Sequence, residues 1–286
     1  MSTVSPVGIP PLFAGLFDDA ALFPPGNAAM PDAVRGHAGY RRDWYAGLVA
    51  RFVCPAARLA ELDRALADFG RDPSGRSEIS MTVPGGPAEL AGALAIAEGL
   101  PELRLGVVEL PVGAAALPGV LDELDDISEQ GIAVFVEVAI TEVTEELAAA
   151  LHTAGLGLKL RTGGTATEAF PTAPALAAAI EAAVAGGVRF KCTAGLHHAV
   201  RHDDPATGFA HHGFLNVLLA VHSALAGGPP PAELLAEVDG PTLAERAGTL
   251  APDEVAGVRR RFSSIGSCSI SEPLTDLTEL KLVSEQ

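Results

Sequence analysis

Two lysines stand out by where they occur. The chain contains 19 basic residues, but only Lys159, Lys191 and Lys281 are lysines; arginine supplies the rest. Lys159 lies in "GLGLKLRTGG" with Arg161 two residues on, and Lys191 lies in the second apolar run "GGVRFKCTAGLHH". Side chains alternate along a strand, so Lys159 and Arg161 point the same way. Burying an ammonium is costly, and a chain that otherwise avoids lysine needs an amine at these places. A lysine attacks a carbonyl carbon only when deprotonated, and a free lysine titrates near 10.4. Burial and a neighbouring cation both lower that value. Arg161 and Lys191 are positive neighbours for Lys159, or the two lysines work with roles exchanged. Carboxylates in other apolar runs complete an acid/base set: Glu109 in "LGVVELPV", Glu137 in "VFVEVAI", and Asp18 with Asp19 in "LFDDAALF". Each alone reads equally well as half of a buried ion pair. Their recurrence in several strands favours a site.

The elements that must carry these residues alternate. Eight short runs have strand character: "LFAGLFDDAALF", "VARFVC", "EISMTV", "LRLGVVEL", "IAVFVEVAI", "LGLKL", "VRFKCT" and "FSSIGSCSI". Between them lie helical stretches such as "PDAVRGHAGYRRDWYAGL", "PAELAGALAIAEGL" and "APALAAAIEAAVAGG", opening at Pro, Thr or Asp and closing at Gly. Eight alternations predict an α/β fold with a parallel sheet, first of all a closed (β/α)8 barrel over residues 1–286 as a single domain. An open doubly wound sheet is the second choice, weakened because no GxGxxG follows the first strand. The seventh and eighth runs are about twice as far apart as the others. Residues 196–261 therefore form an enlarged connection, and in a barrel the loops after the strands carry the site.

At this point the chain resembles deoxyribose-phosphate aldolase, a class I aldolase on a (β/α)8 barrel. "LFDDAALFPPGNAAMPDAV" is similar to that family's first strand and helix, "FVCPAARLAEL" to its second, and "VFVEVAITEVTEEL" to its fifth. "KLRTGG" resembles its Lys-Thr-Ser-Thr-Gly at Lys159, Thr162 and Gly163; "FKCTAGL" resembles its second lysine followed by Ala-Ala-Gly-Gly; "IGSCS", with Ser267 and Cys268, resembles its Gly-Thr-Ser-Ser. The resemblance implies that Lys159 forms the Schiff base, that Lys191 depresses its pKa, and that Glu109 stands where the family has a proton-shuttling Asp. It departs from the family at Glu109, at Arg161 in place of a small Ser, and at Ala194-Gly195-Leu196 in place of the paired glycines that help cradle phosphate. The expected substrate is a small oxygenated carbonyl compound, bound by Arg161, Thr162, Gly163, His197, His198, Ser267 and Cys268.

Other readings compete. His197, His198, His202, His211 and His212 crowd the seventh loop, and imidazoles suit a divalent metal such as zinc. The alternative is thus a metal-dependent hydrolase or isomerase with His197, His198, His211 and His212 as ligands; a third is a barrel that binds a small anion without chemistry. The leading reading needs no cofactor. His211 and His212 also precede the helix "GFLNVLLAVHSAL", whose first N–H groups would attract anions. Cys192 alternates with Lys191 and belongs to the core.

A formal net charge of −17 without a basic block argues against nucleic acid and anionic membranes as partners. No run reaches the roughly 20 apolar residues of a membrane span, and "MSTVSPVGIPPLF" has no signal-peptide pattern. Three isolated cysteines suggest no disulfide framework and fit a reducing cytoplasm. Tyr40, Trp44 and Tyr45, read as part of the first helix, fit outer packing or a subunit contact, which leaves a homo-oligomer open.

Overall fold

The computed structural model describes residues 8–69, 77–205 and 208–285; the leader reading of the first residues falls partly outside them. Eight parallel strands close into a barrel: β1 (Phe17–Asp19), β2 (Val49–Pro55), β3 (Ser77–Thr82), β4 (Leu103–Pro111), β5 (Ala133–Glu137), β6 (Gly157–Arg161), β7 (Phe190–Thr193) and, after a two-stranded hairpin of β8 (His202–Asp203) and β9 (Ala210–His211), β10 (Phe262–Ser267). β10 pairs with both β7 and β1, which closes the ring. The fold is a (β/α)8 TIM barrel, with helices alternating with the strands.

Alternation along each strand divides the side chains between axis and helices. On β6, Leu158 and Leu160 are fully buried, as are Phe190 and Cys192 on β7, leaving Lys159 and Lys191 for the opposite face. Phe190 meets Phe262 of β10 edge to face at 5.2 Å. Below Lys159 the strand needs a glycine: a Cβ on Gly157 would lie 2.5 Å from the Phe135 ring. That ring fills the space, and the Lys191 ammonium sits 5.7 Å from its centroid.

The helices start where their caps dictate. Thr144 accepts the Leu147 N–H at the start of α5 (Glu145–Thr153), and Thr172 accepts the Ala175 N–H at the start of α6 (Ala173–Ala185). The first helix, α1 (Met30–Tyr40), is shorter than its pattern implied. Trp44 and Tyr45 fall in the turn beyond it, where the Asp43 carboxylate takes the Trp44 N–H in place of a helical partner. The enlarged connection between β7 and β10 holds the hairpin and four helices: α7 (Phe214–Ala226), α8 (Pro231–Ala236), α9 (Gly240–Gly248) and α10 (Pro252–Arg261). Fully buried Asn216 on α7 ties it together, accepting the Arg201 N–H and donating to the Leu234 and Glu237 carbonyls. Among the described residues, no helix is long and apolar enough to cross a membrane.

Candidate active site

Strand register brings the singled-out charges to one level. Glu137 of β5 pairs with Lys159 of β6, which pairs with Lys191 of β7. Lys159 Nζ lies 2.9 Å from Glu109 Oε2 and 3.0 Å from Glu137 Oε2. Lys191 Nζ donates to Glu109 Oε1 and to Asp18 Oδ2, each at 2.6 Å. Arg161 Nε donates to Glu137 Oε1 at 2.7 Å. Cations and carboxylates thus alternate in one chain: Arg161, Glu137, Lys159, Glu109, Lys191, Asp18.

Two hydroxyls join it that composition did not flag. Ser80 Oγ donates to Glu109 Oε1 at 2.5 Å, and Ser264 Oγ donates to Asp18 Oδ2 at 2.6 Å. Only their strand parity hints at this role. Ser80 lies between outward-facing Ile79 and Met81, and Ser264 precedes outward-facing Ile265.

The chain of charges sets the proton affinities of its members. Burial opposes ionisation of Glu109, but Lys191, Lys159 and the Ser80 hydroxyl outweigh it and hold the carboxyl well below its ordinary range. Burial would likewise lower the pKa of Lys191, yet Asp18 and Glu109 outweigh it and push the ammonium above the usual lysine value. Lys191 is therefore a fixed cation. Glu137 is lowered too, with burial opposed by Lys159 and Arg161. The sequence suggested two cations side by side; the structure interposes Glu109 between the two ammonium groups.

A cavity of about 520 Å³ opens over the ends of β4, β5 and β6. Glu137 and Arg161 line it, but Lys159 does not: its ammonium lies immediately behind Glu137. The cavity thus lies beside the line of the charges, touching it at Glu137 and Arg161.

The remaining expected residues have other partners. Asp19 faces away from Asp18, bonding His37 Nδ1 at 3.0 Å and the Ala21 N–H. The Thr162 hydroxyl clips the β6 end to the β7 loop, donating to the Ala194 carbonyl at 2.6 Å. Gly163 permits that closeness, since a Cβ there would meet Gly195 Cα at 2.9 Å. Ser267 Oγ donates to the Ser269 carbonyl and lies 3.5 Å from His197 Nδ1, while Cys268 Sγ is 3.7 Å from the same nitrogen. Burial pushes the Cys268 thiol up. His198 bonds Asp276.

His211 stacks on Phe170 with centroids 4.5 Å apart. His212 is fully buried, with Nε2 on the Pro171 carbonyl and Nδ1 beside Arg201. Among the described residues, no group of three or more His, Cys, Asp or Glu side chains is placed to hold a metal ion. The anion reading of α7 fails for a local reason. Its Phe214 and Leu215 N–H groups donate to the His198 and Ala199 carbonyls, so they are not open to a ligand.

Fold and charges together define a TIM barrel with a lysine-centred ionic chain across its interior, whose Glu137 and Arg161 end lines a cavity at the C-terminal ends of the strands. No protein-family model and no curated protein matches this chain.

Proposed function

We propose that the protein is a class I aldolase-like carbon–carbon lyase in which Lys159 forms a Schiff base with a small oxygenated carbonyl compound. The observation that carries this reading is the placement of Lys159: buried, with the cavity-lining Glu137 carboxylate on one side, the ionised Glu109 on the other and a second lysine held cationic in the next strand. A TIM barrel is a common enzyme scaffold whose sites lie at this end.

The steps follow from the positions. Lys159 passes its proton to Glu137, the neighbouring carboxylate that lines the cavity. The neutral amine adds to the carbonyl carbon to give a carbinolamine, and Glu137 returns the proton to its hydroxyl, which leaves as water; a protonated imine and an ionised Glu137 remain. Glu137 then takes the proton of the β-hydroxyl; the adjacent carbon–carbon bond breaks, an aldehyde leaves, and the bonding pair enters the imine to give an enamine. Glu137 passes that proton to the enamine carbon, and addition of water releases the second product and free Lys159. Glu109, held ionised by both lysines, stays a fixed counter-charge and positions them.

Borohydride reduction in the presence of candidate aldehydes and ketones, followed by peptide mass spectrometry, tests this. The expected adduct is on Lys159. Lys159→Arg retains charge but cannot form an imine, because a guanidinium stays protonated; adduct and turnover should both vanish. Near-normal turnover in Lys159→Arg would sink the assignment.

A further inference from the structure

Arg161 is half built into the charge chain and half outside it. Its Nε is committed to Glu137, while its side chain remains 49% exposed and lines the cavity. Among the described residues, neither of its terminal amino groups has a protein partner, so the outer edge of a guanidinium oriented by Glu137 faces open space. That edge is a planar pair of donors, the match for a carboxylate. Lys159 and Arg161 lie two residues apart on β6, about 6.6 Å along the strand, and their side chains share a face. The Glu137 carboxylate already spans the distance between their nitrogens.

The surroundings choose among anions. Glu142 and Glu168 line the same cavity as Arg161, and Arg161 is the one basic side chain among its lining residues. The three cations of the chain already face three carboxylates. A phosphate monoester, with close to two negative charges, would meet two further acidic groups with one half-free guanidinium to hold it. The first N–H groups of α7 are also taken. A single carboxylate is the anion this wall tolerates.

We infer that the substrate is a short 2-oxo acid without phosphate, whose carboxylate docks on the outer edge of Arg161 while the adjacent carbonyl carbon faces Lys159. In such an acid the electrophilic carbon is one bond from the carboxylate, which suits two nitrogens bridged by one carboxyl group. Arg161 then selects the ligand and Lys159 reacts with it. This rests on the Schiff-base reading of Lys159 for the reaction, but not for the docking of the carboxylate.

The test uses pyruvate, methyl pyruvate, which carries the same ketone with its carboxylate masked, and dihydroxyacetone phosphate. Each is trapped with borohydride on the full-length protein and on Arg161→Gln and Arg161→Lys, and adduct on Lys159 is quantified. The pyruvate-to-methyl-pyruvate adduct ratio should fall roughly ten- to hundredfold in Arg161→Gln, the loss expected for a charge-assisted hydrogen bond. Arg161→Lys should recover part of it. A merely structural Arg161 would lower both adducts together and leave the ratio unchanged, which overturns the inference. So does a wild-type protein that prefers dihydroxyacetone phosphate to pyruvate.

If no probe gives an adduct, the Schiff-base reading falls and calorimetric binding of pyruvate decides the docking separately. Binding weakened about tenfold or more in Arg161→Gln supports it. Binding that is undetectable in the wild type, or equal in both proteins, refutes it.

Discussion

Lys191→Met is the substitution whose effect the geometry fixes most closely. Lys191 is buried, and its ammonium donates 2.6 Å bonds to two carboxylates that are themselves buried, Asp18 and Glu109. Methionine has a similar shape but leaves both without this partner. Removing one member of a buried ion pair costs about 3–5 kcal/mol, and with two carboxylates affected we expect the upper part of that range, about 4–5 kcal/mol near neutral pH. Typical total stability is roughly 5–15 kcal/mol, so the variant should be folded but fragile, with a melting temperature lower by about 10–20 °C at roughly 2–4 °C per kcal/mol.

The pH dependence gives a second check. Glu109 is depressed in the folded state, so its stabilisation is present above about 4.3, the unfolded carboxyl value, and is lost as pH falls through the folded value. Lys191 is raised, so its contribution is present below about 10.4 and is lost as pH rises through the folded value. The wild type therefore holds the full contribution between roughly pH 4.3 and 10.4. In Lys191→Met, acidification protonates the stranded carboxyls and makes their burial cheap, so the gap to wild type should shrink as pH falls. Urea titrations at several pH values, followed by circular dichroism, measure this. A loss under about 1 kcal/mol at neutral pH, against the cost of breaking a buried pair, or a gap that widens in acid, would refute the reasoning.

Two other substitutions probe separate parts of the site. Glu137→Gln keeps the shape of the group facing the cavity but removes its proton acceptor; turnover should fall about 10²- to 10⁴-fold, more than Lys159 trapping does, as steady-state and single-turnover assays would resolve. Gly163→Ala places a methyl 2.9 Å from Gly195 Cα and should cost about 1–3 kcal/mol by overpacking, read by thermal melting. A neutral effect would mean that the β6 and β7 loops part readily.

The barrel was legible because its signal repeats. Each strand announces itself by a short branched apolar run, and Leu158 and Leu160 bracketing Lys159 already imply which face the lysine takes. Distances across the interior were not legible. Glu109 and Lys159 stand on β4 and β6, which are not neighbours, and only closure of the barrel brings their side chains within 2.9 Å. Hence the sequence suggested adjacent cations where a carboxylate intervenes. Asp18 and Asp19 look equivalent as residue types, yet one-residue parity sends Asp18 to Lys191 and Asp19 to His37. The hairpin of β8 and β9 escaped notice because two-residue strands are too short to show a period. His212 looked like a ligand by type, but a fully buried imidazole bonded to the Pro171 carbonyl serves to hold one loop on another.

The alternating row from Arg161 to Asp18 also constrains how such a sequence can change over generations. Every interior member has an opposite charge on both sides, so neutralising any one strands its neighbours in a dry interior. Direct contact also makes the effects of two changes strongly non-additive. Drift at Lys191 alone crosses a deep fitness valley; drift at Lys191 together with Glu109 or Asp18 crosses a shallower one. Descendants of this chain should therefore exchange these positions in concert, while Cys192, the very next residue but on the other face of the strand, is free to wander among small apolar types.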